Sequence, residues 1–197
     1  MAAPAALPRL VAFDLDATLW EPEMYLSDGP PFKPHPKAPG CLVDAAGEKM
    51  FLLGESRAIL TELATEEKWA ATAVAYVSRT EHPRWAAACL KLFQVAPGLS
   101  MHDVGAEQEI YPGGKQKHFT RIAERTGLAF ESMLFFDNEG WNVKEVAELG
   151  VVSVHTPRGM TAAAWREGLE AFAAAAAARA RGVAPKLAVG KLGRGYW

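Results

Sequence analysis

Leu10-Val11-Ala12-Phe13-Asp14-Leu15-Asp16-Ala17-Thr18-Leu19-Trp20 is the stretch on which the fold turns. Four apolar residues followed by Asp-x-Asp-x-Thr-Leu predict a buried strand that delivers acids to its C-terminal edge. Alternate residues of a strand face the same way, so Asp14 and Asp16 can converge on one ligand. Like charges held this close resist joint ionisation, which calls for a cation between them or a shared proton. Metal-assisted phosphoryl chemistry fits that demand.

Working outward, strand signals alternate with helix signals, the pattern of an α/β fold with a doubly wound parallel sheet. Ala73-Val-Ala-Tyr-Val77 predicts a second strand, ending at Ser78-Arg79-Thr80. Met133-Leu-Phe-Phe136 predicts another, ending at Asp137-Asn138-Glu139, and Val151-Val-Ser-Val154 the last. A weaker strand is expected near Met101–Val104. Polar tripeptides thus follow three apolar strands, and in such sheets that edge binds ligands near the topological switch point.

The helices read from their apolar faces. Ile59, Leu60 and Leu63 share one face, and Trp85, Cys89, Leu92 and Phe93 recur at helical spacing. Lys115 opens a helix with Phe119, Ile122 and Ala123 inward, stopped by Gly127. Trp141–Leu149 is a short helix closed by Gly150, and Trp165, Leu169 and Phe172 mark a final helix reaching about Arg181. Between the first two strands lies Gly29-Pro-Pro-Phe-Lys-Pro-His-Pro-Lys-Ala-Pro39, where proline density predicts an extended surface loop. Cys41–Val43 and Met50–Leu53 flank Asp44-Ala-Ala-Gly47 as a small hairpin, a flap over the first strand's acidic end. Trp20, Tyr25 and Phe32 either wall a pocket under that flap or pack the loop onto the sheet.

Bulk composition bounds the reading. A chain of 197 residues with 50% hydrophobic and 22% charged content is one soluble domain's worth. We divide it into a domain over 1–182, with loop and flap at about 21–54, and a basic tail over 183–197. From Arg179 onward the sequence holds Arg181, Lys186, Lys191 and Arg194 without an acid, which reads as a solvated tail. A net charge of −2 argues against nucleic acid and anionic membranes as partners. No apolar stretch is long enough to span a bilayer. Met1–Arg9 lacks the pattern of a secretory signal, and the two cysteines, Cys41 and Cys89, form no C-x-x-C. The expected location is cytoplasmic, the expected state a monomer. His35, His82, His102, His118 and His155 have no metal-ligand spacing.

The candidate site follows from the strand ends. Asp14 is a candidate nucleophile that takes up a phosphoryl group, and Asp16 a candidate acid/base. A phosphate dianion repels a carboxylate, so positive charge is required. Magnesium accepts carboxylate and phosphate oxygens while keeping several waters, and Asp137 supplies a further carboxylate. Lys115, after the turn Tyr111-Pro-Gly-Gly114 and at a helix start, is the second source. Ser78 is either a hydroxyl donor to phosphate or a turn residue, and Arg79 either a bidentate anion clamp or solvated. Asn138 either orders a metal-bound water or caps the next helix.

Together these residues resemble the haloacid dehalogenase-like phosphatases. Asp14-x-Asp16-x-Thr18-Leu19 is similar to the first motif, Ser78 to the second, Lys115 to the third and Asp137 to the fourth. More narrowly, Phe13–Trp20, Ser78-Arg-Thr80, Glu109-Ile-Tyr-Pro-Gly-x-Lys115, His118-Phe119 and Phe135-Phe-Asp-x-Glu139 resemble the magnesium-dependent phosphatase one subfamily. The resemblance implies a Rossmann-like core with a minimal hairpin flap and no large cap domain. It implies Asp14 as nucleophile, Asp16 as acid/base, and Ser78 and Lys115 as phosphate ligands. Magnesium is then held by Asp14, the Asp16 carbonyl and Asp137. Sugar phosphates such as fructosamine 6-phosphate and protein phosphotyrosine are the implied substrates. One departure is Asn138, where the subfamily usually carries a second acid. Two rival readings are a non-catalytic phosphate-binding scaffold and a phosphotransferase.

Overall fold

The structure, a computed structural model, describes residues 6–192. In chain order the first elements are β1 (Leu10–Phe13), β2 (Trp20–Glu21), β3 (Lys33–Pro34), β4 (Cys41–Val43), β5 (Lys49–Leu52) and α1 (Ser56–Thr65). Then come β6 (Ala73–Ser78), α2 (Pro83–Leu92), β7 (Gln94–Ala96), β8 (Leu99–Ser100), α3 (Met101–Val104) and β9 (Gly105–Ile110). The remainder is α4 (Lys115–Thr126), β10 (Met133–Asp137), α5 (Gly140–Ala147), β11 (Val152–His155), α6 (Ala162–Ala180) and β12 (Ala188–Val189).

The main sheet has six strands in the order β12-β11-β10-β1-β6-β9, every pair parallel. From β1 the chain winds outward through β6 and β9, then returns to β10 on the other side. The switch point therefore flanks β1, where Phe13 pairs with both Tyr76 and Phe136. Alternation along each strand feeds two cores. Val11, Phe13, Tyr76, Phe136 and Val154 face α1, α2 and α6, with Phe13 stacked on Phe136 at 5.5 Å between centroids. Leu10, Ala12, Val77 and Phe135 face Phe119, Ile122 and Val146 of α4 and α5. Burial on both faces is what makes these strands continuous apolar runs. Gly127 ends α4 in the left-handed conformation (φ 69°), donating to the Ala123 carbonyl. Among the described residues no helix is long and apolar enough to cross a membrane.

Three expectations need correction. Met101–Val104 is a helical turn rather than a strand, because Ser100 and Asp103 form a reciprocal capping box. The strand follows at Gly105–Ile110, and its polar Glu107 and Gln108 are tolerated because β9 lies at the sheet edge. The flap is larger than a hairpin. The β4–β5 hairpin forms, with Leu42 opposite Met50, but sits within a four-stranded antiparallel sheet ordered β2-β5-β4-β3. The proline-rich loop supplies β3 as an edge strand, where Pro34 needs to donate no ladder bond. Finally, the basic stretch after 182 is not wholly solvated. Ala188–Val189 extends the main sheet as β12, Val189 is buried, and Ser153 N donates to the Leu187 carbonyl at 2.8 Å. Residues 193–197, Arg194 among them, lie outside the described residues, as do 1–5 of the N-terminal stretch.

Candidate active site

The turn after β1 is drawn tight by the Leu15 carbonyl, which accepts from the backbone N–H groups of Thr18, Leu19 and Trp20. It holds Ala17 in the left-handed region, at φ 54°. Thr18 is buried and exchanges hydrogen bonds with Asn138: its hydroxyl accepts from Asn138 N at 3.0 Å and donates to Oδ1 at 3.3 Å. The loop carrying the first acids is thereby tied to the loop carrying the last.

Asp14, Asp137 and Lys115 form the floor. Lys115, fully buried, places Nζ 2.5 Å from Asp14 Oδ1 and 3.3 Å from Asp137 Oδ2. Its third donor meets the Val77 carbonyl, and its ammonium lies 5.5 Å from the centroid of the Phe135 ring. All three N–H donors are therefore taken by the protein. Asp137 is pinned from its other side by Asn142 Nδ2, at 3.1 and 2.9 Å, and by Glu139 N at 2.7 Å. Burial pushes the Asp14 carboxyl up to about 7, against the attraction of Lys115 and with a contribution from Asp137. Asp137 is raised by burial as well. Burial also disfavours charge on Lys115, but the two carboxylates outweigh it and hold the ammonium above its ordinary value. One cation for two buried carboxylates leaves the floor short of positive charge.

Asp16 lies beside the floor, with Oδ1 accepting from Trp20 Nε1 at 2.7 Å and Met24 N at 3.1 Å. Burial lifts its carboxyl to about 6, partly opposed by the Trp20 bond. Ser78, at the end of β6, is buried and its Oγ accepts from Thr80 N at 3.2 Å. Over these residues opens a cleft of about 480 Å³ whose lining includes Asp14, Asp16, Ser78, Arg79, Asn138 and Trp141. A larger groove, about 870 Å³, runs between α1 and the flap, but none of the strand-end acids reaches it.

The sequence-predicted residues thus meet in one place: Asp14, Asp16, Ser78 and Arg79 line the cleft, with Lys115 and Asp137 beneath. The three aromatic residues divide. Trp20 is buried on Phe93 and Phe32 packs edge-on to Trp85, whereas Tyr25 is exposed and lines the cleft. Asn138 is not the cap of α5, which is Glu139; it lines the cleft, and its carbonyl faces His155 Nε2 at 2.8 Å. The other ring nitrogen, Nδ1, faces the Lys191 carbonyl at 2.9 Å, so His155 joins this loop to the end of β12. His118 is buried against Tyr111, 4.4 Å between ring centroids, and neither ring nitrogen has a hydrogen-bond partner. Sequence reasoning missed Glu23, Trp141 and Asn142. For Asn142 the available signal was its position on the first turn of a helix whose strand ends in an acid.

Among the described residues no three His, Cys, Asp or Glu side chains converge as a metal cluster. Asp14 and Asp137, two buried carboxylates on either side of Lys115, are nevertheless oxygen donors of the kind a hard cation takes.

Comparison with known proteins points to one family. The profile of the acid phosphatase family matches residues 6–175. The chain is 36% identical over 171 residues to human magnesium-dependent phosphatase 1, covering 87% of this chain and 90% of that protein. It is 33% identical over 147 residues to a HAD-like hydrolase superfamily protein of Schizosaccharomyces pombe, covering 73% and 83% respectively. The phosphatase-domain part of protein BF1531 from Bacteroides fragilis, solved with Mg, superposes with a TM-score of 0.51 at 18% identity. That match spans 77% of this chain and 37% of the other, and concerns the fold alone. With the acids at the switch point and a family profile running nearly from end to end, this chain belongs to the acid phosphatase family of HAD-like hydrolases.

Proposed function

We propose that the protein is a magnesium-dependent phosphatase acting through a phosphorylated Asp14. The observation that carries the reading is Lys115 clamped between Asp14 and Asp137 at the base of an open cleft. A carboxylate attacks phosphorus only when ionised, and burial holds Asp14 near 7. The floor therefore needs one more cation than Lys115 provides. Asp14, Asp137 and the Asp16 carbonyl are the groups that would hold magnesium, supplying the missing charge when bound.

Asp14 forms a bond to phosphorus while the ester oxygen departs. Asp16, poised near 6, gives that oxygen a proton and then takes one from the water that releases phosphate. Because its donors are already engaged, Lys115 acts as a fixed counter-charge that orients Asp14 rather than as a free hand for substrate. The Ser78 hydroxyl proton is available to a phosphate oxygen, and Arg79 to an anionic oxygen at the mouth. The four-stranded flap leaves the cleft open, which suits bulky esters such as phosphotyrosine in a protein and sugar phosphates such as fructosamine 6-phosphate. Water as the acceptor separates this reading from a phosphotransferase.

Asp14→Asn keeps the shape and removes the nucleophile. Turnover of an aryl phosphate with magnesium is expected to fall about a thousandfold or more. Activity within tenfold of the parent would sink the mechanism.

A further inference from the structure

Among the described residues, Arg79 is the one cation lining a cleft that also presents Asp14, Asp16, Glu23, Glu81 and Glu139. The carboxyl of Glu23 is held up by partial burial and by Asp16 and Glu139, a sign of how negative the mouth is. An arriving phosphate ester meets repulsion there unless Arg79 stands where the ester passes. An exposed arginine is ordinarily mobile, and fixing it costs rotamer entropy. Its described partners are two. The guanidinium carbon sits 4.3 Å from the centroid of the Trp141 ring, and Nη1 lies 3.5 Å from Asn142 Oδ1. Neither is a carboxylate, so among the described residues no ion pair ties up the guanidinium.

Trp141 itself is 48% exposed and turns part of its ring to the cleft it lines. Its Nε1 donates to Glu139 Oε2 at 3.1 Å, which sets the ring's orientation at the start of α5. Asn142, the next residue, is buried; its Nδ2 donates to the Asp137 carboxylate, within reach of both oxygens, while Oδ1 lies toward Arg79. One helical turn thus holds the floor acid with one residue and the mouth cation with its neighbour.

We propose that Trp141 is a positioning residue: its indole is the platform that holds the Arg79 guanidinium over the cleft for an anionic oxygen of the substrate. Asn142 fixes the edge of the same guanidinium and links it to Asp137. The claim rests on the phosphatase reading and adds to it the means by which an acid-lined mouth admits a dianion. Arg79 touches substrate; Trp141 acts through Arg79.

The test is a cycle of Trp141→Ala, Trp141→Phe, Arg79→Ala and the Trp141→Ala/Arg79→Ala double variant, assayed on p-nitrophenyl phosphate with magnesium. For Trp141→Ala we expect KM to rise about three- to fivefold, with kcat within about twofold of the parent. Inorganic phosphate should bind more weakly by the same factor. Trp141→Phe keeps a ring face but loses the bond to Glu139, and is expected to stay within about twofold of the parent. In the Arg79→Ala background, Trp141→Ala should change KM by less than about 1.5-fold. Additive effects, a KM unmoved by Trp141→Ala, or a loss confined to kcat would each overturn the proposal. Calorimetry with inorganic phosphate and magnesium reads the same contact without turnover. An inactive parent whose phosphate binding still falls on Trp141→Ala would retire the phosphatase reading and keep this one.

Discussion

The floor of the cleft holds Lys115 and the mouth holds Arg79, and the two cations are held by opposite means. At the floor, Lys115 is fully buried, and two carboxylates and a carbonyl take all its donors. At the mouth, Arg79 is exposed and leans on an indole and an amide, with no carboxylate partner described. A buried ammonium without counter-charges would be prohibitively expensive, whereas an exposed guanidinium needs only to be held still. The floor is therefore bound into the fold, whereas the mouth can change with little cost to it.

Lys115→Met against Arg79→Met is the harshest test of that difference. Removing the buried partner strands two carboxylates, and we expect Lys115→Met to abolish turnover and to lower unfolding free energy by about 3–5 kcal/mol. Arg79→Met should shift stability by less than about 0.5 kcal/mol. Denaturant melts of the two variants check this, and equal losses would erase the distinction.

A second test concerns His118, one turn beyond Lys115 on α4. Burial first, then the Lys115 charge, depresses its imidazole from 6.5 to about 4. Between those values the unfolded chain binds a proton that the folded chain refuses, so this residue's contribution to stability is lost as pH falls from 6.5 toward 4. Below that window both states are protonated and the loss is complete. His118→Phe should flatten the fall in Tm between pH 7 and pH 4.5 relative to the parent, by a few degrees. A parallel pair of Tm profiles would show that the imidazole is not held neutral beside the floor.

The mildest test lies between the two regions. Asn138→Asp keeps the oxygen that accepts from Thr18 and restores a second acid next to Asp137. Apparent magnesium affinity should tighten by about fivefold at most, with kcat nearly unchanged. An activation curve shifted toward weaker affinity would mean that the added charge disturbs the floor instead of serving it.

The same contrast explains what was legible in the sequence. β1, β6 and β10 are sandwiched between helices on both faces, so burial wrote them as apolar runs with acids at their ends. The two acids of the floor could be read because they end those runs, and Lys115 because it opens α4 after a glycine turn. Elements that are short or lie at a sheet edge left no such mark. β9 is a polar edge strand, β3 exists only by pairing Lys33 and Pro34 with Val43 and Leu42, and β12 is two residues inside a basic stretch. Met101–Val104 misled because local capping by Ser100 and Asp103 overrode a weak apolar pattern. At the mouth, Asn142 contacts Arg79 across 63 residues, and no spacing rule announces such a pair.

Ala17 carries a consequence of its own. An alanine at φ 54° sits where a side chain is disfavoured by about 1–2 kcal/mol, directly after Asp16. Glycine would relieve that tension, but it would also loosen the turn in which Ala17 N donates to the Trp20 carbonyl beside Asp16. Any search for hardier variants will be drawn to this bend, where a gain in durability is set against the fixed placement of the acid beside it.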